Sequence, residues 1–137
     1  MAPFVPLPDA LTQPFWDGCK RHVITVQKCR SCGRMRHRPS AGCHHCGGDT
    51  ADWVELSGRG TVYTCTIVRR AFHPAFTEDV PYAVGLVSAE EDETVRFHTR
   101  FVECDPADIA VGTGVDVVFE PDATGIVLPF WRPRRAD

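Results

Sequence analysis

Two Cys-x2-Cys-Gly units stand close together in this chain, and they constrain its fold more than any other feature. The first is Cys29-Arg-Ser-Cys32-Gly33 and the second is Cys43-His-His-Cys46-Gly47, with ten residues between Cys32 and Cys43. Two such units that face each other across a hairpin place four thiolates about 2.3 Å from one tetrahedral ion. The glycine after each second cysteine lets the backbone turn without a Cβ clash. The spacing therefore predicts a metal site with Cys29, Cys32, Cys43 and Cys46 as ligands.

The segment from Cys29 to Cys46 is polar and rich in arginine, so it cannot bury an apolar core of its own and depends on the metal to fold. Four sulfur donors favour zinc, but such a set also holds iron, and the ligands alone leave the identity of the ion open. Four thiolates close the coordination shell, which disfavours hydrolysis by a zinc-bound water. We expect His37, His44 and His45 to face solvent rather than to replace a cysteine.

The chain has seven cysteines, an odd number that cannot pair completely within one molecule. Cys19, Cys65 and Cys104 lie outside the quartet on apolar or strand-like segments, where we expect them to pack as small side chains. The start of the chain lacks the pattern of a secretion signal, and no apolar run approaches the roughly 18 residues that cross a bilayer. These features predict reduced thiols, a cytoplasmic location and no membrane partner.

The 137 residues suffice for one small domain and a metal-stapled module. We assign residues 1–22 to an N-terminal arm and helical segment, 23–52 to a zinc ribbon and 53–137 to a β domain. Asp9 is a candidate N-cap, and Val23–Lys28 is a candidate strand. Five further strands are predicted near residues 60–70, 81–89, 94–102, 114–120 and 126–131, with a capped turn at 105–109. This mainly β pattern matches a five-stranded OB-type barrel, although a sandwich or a small meander also fits.

Charge is unevenly placed along the chain, although the formal net charge is only -3. Residues 18–48 carry seven lysines and arginines and no acid, whereas residues 78–108 carry nine acids against Arg96 and Arg100. The basic first module either attracts anions or offsets the negative charge of the metal site beside it. A four-thiolate site with a divalent ion makes the chain more negative still, which disfavours a polyanionic partner such as nucleic acid.

A catalytic constellation is missing from the sequence. We find no nucleophile with a base, no paired carboxylates in a catalytic setting and no phosphate-binding glycine loop. The acidic run Glu90–Glu93 is expected to be a solvated hairpin tip. The aromatic loop Ala71–Phe76 either contacts a ligand or partner or caps the mouth of the barrel. The chain on its own is therefore not expected to be an enzyme.

Several stretches of the chain together point to one known family. They are Pro14–Trp16, Val26–Cys29, the two cysteine units, Trp53–Val62, His73–Phe76, Val80–Tyr82 and Leu128–Phe130. The cysteine units are shared by many proteins, but Ser57–Thr61 after them, followed by His-Pro and Pro-Tyr pairs, is much more specific. From Phe15 to Pro133 the chain resembles the family known as domain of unknown function 35, in which a rubredoxin-like zinc ribbon precedes an OB-fold.

Members of that family look like accessory proteins that dock on thiolase-like enzymes and bind acyl-coenzyme A. Some complete the coenzyme A site of archaeal thiolase and hydroxymethylglutaryl-CoA synthase assemblies. Others pair with sterol-carrier-type thiolases that act as retro-aldolases on steroid side-chain CoA esters in actinobacteria, and the arginine-, alanine- and valine-rich composition tilts the expectation toward these. The resemblance implies a non-catalytic subunit of a hetero-oligomer, required by an aldolase- or thiolase-type enzyme for its stability and acyl-CoA binding.

Candidate contacts to acyl-CoA or to the partner lie in two basic and aromatic stretches. Coenzyme A carries an adenine that stacks and phosphates that arginine binds as a bidentate donor. The candidates are Arg69, Arg70, Phe72, His73, Phe76 and Arg132, with ordinary solubility charge as the alternative role of the arginines. The alternative function is a nucleic-acid-binding ribbon and barrel. A third, an acyl-CoA thioesterase, lacks a visible base.

Overall fold

Helix α1 (Gln13–Lys20) is the first regular element in the computed structural model, which describes residues 6–135. One turn before it, Asp9 and Thr12 each donate a backbone N–H to the other's side chain, at 3.0 and 2.8 Å. Asp9 therefore caps the turn that leads into the helix, and Thr12 is the N-cap residue of α1 itself. The predicted helical segment is confirmed, and residues 1–5 of the predicted arm lie outside the described part of the chain.

A three-stranded antiparallel sheet follows α1, in the order β2 (Met35–Arg36), β1 (Ile24–Cys29) and β3 (Ala51–Leu56). β1 is the strand predicted before the first cysteine. It pairs with β3 along its whole length, from Ile24 opposite Leu56 to Cys29 opposite Ala51. The sequence pattern does not predict β3, because most of its side chains are half-buried and do not alternate clearly between two faces. β3 returns the chain from the cysteine units to the second half of the molecule.

Five strands then form a closed barrel. They are β4 (Arg59–Val68), β5 (Tyr82–Ala89), β6 (Arg96–Phe101), β7 (Gly114–Pro121) and β8 (Val127–Pro133). Their hydrogen-bonded order is β4-β5-β6-β8-β7, and β7 pairs with β4 to close the ring. β6 and β8 run parallel, whereas the other neighbours are antiparallel. Closure excludes the sandwich and the meander, so the predicted OB-type barrel is confirmed.

The barrel core consists of side chains that point inward at every second position of a strand. On and before β6, Val95, Phe97 and Phe101 are buried, and the ring of Phe97 stacks on buried Trp131 with centroids 5.7 Å apart. On the neighbouring strand β5, a Cβ atom at Gly85 would overlap the backbone carbonyl of Thr64. Glycine is therefore required there, where β4 carries a bulge and the barrel turns sharply.

The gap between β6 and β8 is the weakest part of the barrel wall. Their ladder holds a single residue pair, Phe101 opposite Trp131. Helix α1 packs against β1 and β8, and its Phe15 is buried in the same core cluster as Phe97 and Trp131. The N-terminal helix thus covers the side of the barrel that hydrogen bonds leave open. The turn predicted at residues 105–109 is confirmed as a short 3-10 helix, Pro106–Asp108.

The ribbon joins the barrel through a turn that the acidic hairpin holds in place. Gly58 has a φ of +78°, which favours glycine, and allows the chain to bend between β3 and β4. The Glu91 carboxylate accepts hydrogen bonds from the backbone N–H and the hydroxyl of Ser57, and Glu90 lies 3.9 Å from the Arg59 guanidinium. The acidic run is solvent-exposed, as predicted, and it also ties the β5–β6 hairpin to the junction.

Among residues 6–135, no helix combines the length and the apolar character needed to cross a bilayer.

Candidate metal centre and interdomain cavity

The four predicted cysteines converge at the end of the ribbon where β1 finishes. Their Sγ atoms all lie within 4.8 Å of one another. Cys29 and Cys46 have sulfurs 3.6 Å apart, and the sulfurs of Cys32 and Cys43 are 3.7 Å apart. A tetrahedral zinc ion with Zn–S bonds of about 2.3 Å has sulfur–sulfur edges of about 3.8 Å. The quartet therefore fits a structural zinc ion, and four sulfurs leave no coordination position for a water or a substrate.

Backbone amides near the quartet favour the thiolate form of these cysteines, which is the form that binds a cation. The amide of Cys32 lowers the pKa of the Cys29 thiol, and the amide of Cys46 lowers the pKa of Cys43 to about 6. At Cys46 the Gly48 amide is the strongest single influence and lowers the pKa, but the Cys29 sulfur, burial and the other two sulfurs together outweigh it, and the pKa rises to about 11. Adjacent thiolates repel one another, so the last proton leaves readily only when a cation replaces it.

The histidines near the metal centre divide into two kinds. His44 and His45 are exposed, as predicted. The prediction for His37 is wrong, because its ring lies between Phe15 and Phe97, with centroids 5.1 and 4.7 Å away. Burial, followed by the nearby positive charge of Arg38, lowers the pKa of His37 to about 4. His37 is therefore a neutral packing residue where the ribbon meets the barrel.

The three cysteines outside the quartet pack against apolar side chains, as predicted. Cys19 is fully buried in the core cluster, and burial raises the pKa of its thiol to about 12. Cys65 and Cys104 are partly buried against the same cluster. None of them lies in the cysteine quartet, so their loss should leave the metal ligands intact.

A cavity of about 400 Å³ opens between the ribbon, α1 and the gap separating β6 from β8. Its walls are mainly aromatic and aliphatic, with a few polar groups toward the rim. The lining residues are Thr12, Phe15, Trp16, Ile24, His37, Arg38, Pro39, Phe97, His98, Thr99, Arg100, Leu128, Pro129, Phe130 and Trp131. The volume and the apolar walls are typical of a small-molecule site.

Two arginines give the rim of this cavity its charge. Arg38 donates to Nδ1 of His98 at 3.1 Å, which requires an unprotonated Nδ1 on His98. Arg100 lies over the Tyr82 ring, 4.6 Å from its centroid, and donates to Asp79 at 3.2 Å. None of the lining residues is acidic. The rim is therefore positive in a chain whose net charge is -3.

The structure places five of the six predicted contact residues in the loop between β4 and β5. Arg69 and Arg70 are exposed, and the Arg70 guanidinium lies 5.6 Å from the centre of the Phe72 ring. Phe72 is 84% exposed, whereas Phe76 packs 6.3 Å from Tyr82. One aromatic ring of this loop is thus half-buried and the other faces solvent, and the choice between a contact role and a capping role stays open.

Two of the six predicted contacts, His73 of this loop and Arg132, form hydrogen bonds within the protein. His73 accepts a hydrogen bond from the backbone N–H of Ala75 at 3.1 Å and so caps the short helical turn Pro74–Phe76. Arg132 lies on β8, where it donates to the Glu103 carboxylate at 3.0 Å. The contact roles of all six residues stay predictions.

Sequence reasoning missed the cavity, because its lining comes from five separate segments. The alternation in β6 correctly assigns Phe97 to the core and its neighbours to the surface, but it does not indicate what covers that strand. The only local signals are the basic Arg36-His37-Arg38 run and the closing Leu128-Pro129-Phe130 stretch. Neither pattern predicts that these two segments line one cavity.

A four-cysteine ribbon joined to a closed five-stranded barrel defines a two-module zinc-ribbon and OB-fold protein. Residues 16–52 match the family described as the ChsH2 rubredoxin-like zinc ribbon domain, and residues 53–120 match the ChsH2 C-terminal OB-fold domain. A scaffold protein of Methanocaldococcus jannaschii, named for its DUF35 domain, is 30% identical over 82% of this chain and 79% of its own length. The chain belongs to the DUF35 family of zinc-ribbon and OB-fold proteins.

Two curated relatives are subunits of larger enzymes. The chain is 35% identical to a probable enoyl-CoA hydratase alpha subunit of Thermomonospora curvata, over 87% of this chain and 36% of that protein. It is 33% identical to the 3-oxo-4,17-pregnadiene-20-carboxyl-CoA hydratase alpha subunit of Mycobacterium tuberculosis, over 90% of this chain and 39% of that protein. The chain thus spans little more than a third of the length of these two relatives.

Two solved structures share the fold. A chain of the Ltp2-ChsH2(DUF35) aldolase superposes with a TM-score of 0.82 at 31% identity, covering 94% of this chain and 98% of that one. A DUF35-family protein of unknown function from Sulfolobus solfataricus superposes with a TM-score of 0.61 at 19% identity, covering 80% of this chain and 78% of that one. The second match shows the fold alone.

Proposed function

We propose that this chain is a non-catalytic accessory subunit that docks on a thiolase-fold enzyme and supports the stability and the acyl-CoA binding of that enzyme. The observation that carries the proposal is the match to nearly a whole chain of the Ltp2-ChsH2(DUF35) aldolase. The two hydratase alpha subunits have names that indicate CoA esters as substrates of related assemblies. One of these esters is derived from a steroid. A hetero-oligomer in steroid side-chain degradation, in the cytoplasm where thiols stay reduced, is the setting we propose.

The chemistry of the metal centre supports a role without catalysis. A four-sulfur zinc site supplies neither a bound water nor an open position, so it stabilises the ribbon and activates no substrate. Within the described part of the chain, the cysteine quartet is the one group of three or more metal-ligating side chains. A reaction in such a complex therefore belongs to the partner.

The exposed part of the β4–β5 loop supports a contact role. Phe72 is 84% exposed beside Arg70, and an aromatic ring with a neighbouring guanidinium is typical of strong contact residues at protein interfaces. The same pair suits the adenine and the phosphates of coenzyme A. We propose Arg69, Arg70, Phe72, His73, Phe76 and Arg132 as contacts to acyl-CoA or to the partner.

Co-expression with a thiolase-fold enzyme from the same genome tests the proposal. We expect the two chains to elute together, and the soluble yield and the activity of the enzyme to depend on this chain. Phe72→Ala should weaken the complex, whereas Val111→Ala, which trims a side chain that is 69% exposed on another loop, serves as the matched control. Elution of the chain alone, with unchanged enzyme yield and activity in its absence, would contradict the proposal.

One observation favours a nucleic-acid-binding module as the second candidate. Arg96 and Arg100 face outward from β6 and lie 3.9 and 4.6 Å from the centres of the Tyr63 and Tyr82 rings. OB barrels that bind single strands combine cations and aromatic rings on such a face. The net charge of -3 opposes this function. Salt-sensitive binding of a single-stranded oligonucleotide by the isolated chain would favour it over the first.

A further inference from the structure

We infer that the free edge of β3 pairs antiparallel with the same edge of a second copy of this chain, so that two ribbons form one continuous sheet. β3 is the last strand in the order β2-β1-β3, and within residues 6–135 its outer edge has no neighbouring strand. Because each copy has one such edge, a two-fold axis closes the pairing at a dimer. The pairing needs only this chain and is separate from docking on a partner enzyme.

The hydrogen bonds at the end of the sheet show which backbone groups of β3 point outward. The Arg30 amide donates to the Thr50 carbonyl at 3.0 Å, and bonded pairs recur at every second residue of an antiparallel ladder. The Cys29 amide instead donates away from β3, to the Arg34 carbonyl at 2.9 Å. The residues of β3 that bond to β1 are therefore Asp52, Val54 and Leu56. The residues whose N–H and C=O groups point outward are Ala51, Trp53 and Glu55.

This outer edge carries none of the devices that usually prevent strand addition. Exposed edges in natural proteins are protected by lysine, proline or a β-bulge. β3 contains neither lysine nor proline, and its register with β1 is continuous from Ala51 to Leu56. In the described part of the chain, no group hydrogen-bonds to the outward backbone of Ala51, Trp53 or Glu55. Only another extended strand satisfies such a row of donors and acceptors.

Antiparallel pairing centred on Trp53 uses the whole edge. When Trp53 lies opposite Trp53 of the second copy, Ala51 lies opposite Glu55, and each facing pair exchanges two hydrogen bonds. Any other register leaves outward groups unpaired at the ends. Asp52 lies opposite Val54 in this register, so like charges do not face each other directly, and the two indole rings are neighbours.

The charge along the edge favours a second copy as the occupant. Asp52 lies 2.8 Å from the Arg30 guanidinium, and Glu55 lies 3.1 Å from that of Arg21. Each acidic side chain of β3 is thus neutralised within its own chain. Two copies of this edge therefore approach without net repulsion, whereas a strongly charged strand finds no opposite charge there.

The antiparallel direction also brings opposite charges together at both ends of the paired strands. β3 ends beside Ser57, which hydrogen-bonds to Glu91 of the acidic run Glu90–Glu93. The other end joins the ribbon, whose residues 28–50 carry five lysines and arginines and the single acid Asp49. This excess remains positive when the charge of a four-thiolate zinc site is counted. In the dimer the basic ribbon of each copy approaches the acidic run of the other, which strengthens and orients the pairing.

Sedimentation equilibrium of the zinc-loaded, full-length chain between micromolar and millimolar concentrations tests the pairing. We expect a monomer–dimer equilibrium with a dissociation constant on the order of 10–100 μM, since small interfaces form weak complexes. Dimerisation should weaken several-fold in about 0.5 M NaCl because the end contacts are ionic. The exchange of the Trp53 and Glu55 amides should slow as the dimer forms, whereas the Val54 amide, bonded to β1, should be protected at every concentration.

Two variants at one position localise the pairing. Glu55→Pro and Glu55→Ala both lose the ion pair to Arg21, but only proline loses the outward N–H. Proline is tolerated on an edge strand where its nitrogen faces away from the neighbouring strand. Glu55→Pro should therefore keep its zinc and its circular dichroism, yet dimerise about tenfold more weakly, since each dimer loses two backbone hydrogen bonds. Glu55→Ala should dimerise within about twofold of wild type.

A chain that stays monomeric throughout, or equal weakening by Glu55→Pro and Glu55→Ala, would contradict the pairing. A dimer in which the Trp53 amide exchanges as fast as in the monomer would place the contact elsewhere. If Glu55→Pro does not fold, the amide exchange of the wild-type chain decides. Loss of a co-expressed thiolase-fold enzyme from Glu55→Pro, with a wild-type chain that is monomeric alone, would assign the edge to a strand of that enzyme and overturn the pairing with a second copy.

Discussion

The ribbon and the barrel are stabilised by different means, although they are joined into one core. None of the residues of the buried core cluster lies between Arg30 and Thr50, whereas most of that cluster belongs to the barrel strands. The ribbon compensates with four converging cysteines and with polar contacts such as the bond from the Ser40 amide to the Gln27 side chain, 2.9 Å long. A metal can thus stabilise a short polar segment, whereas the barrel, with about 75 residues of alternating strands, is stabilised by the burial of apolar side chains.

The largest effect on the ribbon is expected from the loss of one metal ligand. Cys29→Ser removes a sulfur from the quartet, so we expect less than one zinc ion per chain, a disordered ribbon and low soluble yield, because zinc binding is the folding energy of such a module. Metal analysis together with amide exchange of the ribbon and the barrel measures this.

Cys104→Ser is the matched control for this change, since that cysteine lies outside the quartet. It should retain one zinc ion. Wild-type zinc content and ribbon protection in Cys29→Ser would show that the metal is not what holds the ribbon.

The second prediction concerns a substitution in the barrel core. Trp131 is 2% exposed and stacks on Phe97, so Trp131→Ala should cost about 3–5 kcal/mol of unfolding free energy by opening a cavity. Chemical denaturation monitored by circular dichroism checks this, and zinc content of the native chain should stay at one. Val111→Ala, at an exposed site, should change stability by less than about 0.5 kcal/mol. Equal effects of the two variants would mean that the barrel does not depend on this core.

Acid should affect the contact between the two regions at His37. The folded pKa of about 4 lies below the ordinary value of 6.5, so the neutral form is favoured by folding. The contribution of His37 is therefore fully present above pH 6.5 and is lost as the pH falls toward 4, by on the order of 3 kcal/mol. The charged or titratable groups near the ring are Arg38 and His98, and both oppose its protonation.

Denaturation midpoints measured between pH 4 and pH 7 test this dependence. His37→Phe should flatten the decline relative to wild type, and His44→Gln, which changes an exposed histidine, should follow the wild-type curve. Parallel curves for wild type and His37→Phe would show that another group causes the decline.

The smallest expected effect concerns the junction between the regions. Glu91→Ala removes the carboxylate that accepts two hydrogen bonds from Ser57, and we expect a loss of about 1 kcal/mol because the site is exposed. Glu93→Ala, in the same hairpin tip, should be close to neutral. Urea denaturation distinguishes them, and identical midpoints would show that the hairpin does not support the junction.

The fold and the metal ligands could be predicted because their signals are local. The cysteine units carry their spacing within eighteen residues, from Cys29 to Cys46, and the barrel strands carry their alternation within each strand. His37 could not be placed in this way. Its neighbours in sequence are polar, and its burial depends on Phe15 and Phe97, which reach it only when the helix and the barrel have packed.

The sequence by itself determined that four cysteines form a closed site and that five strands with period-two alternation follow it, since both depend on short-range spacing. Only the tertiary structure decided that α1 and the ribbon cover the gap between β6 and β8, and that a cavity with a positive rim remains there. The reason is physical. A cavity is the space that separate segments fail to fill, and its shape and charge depend on how those segments pack against one another.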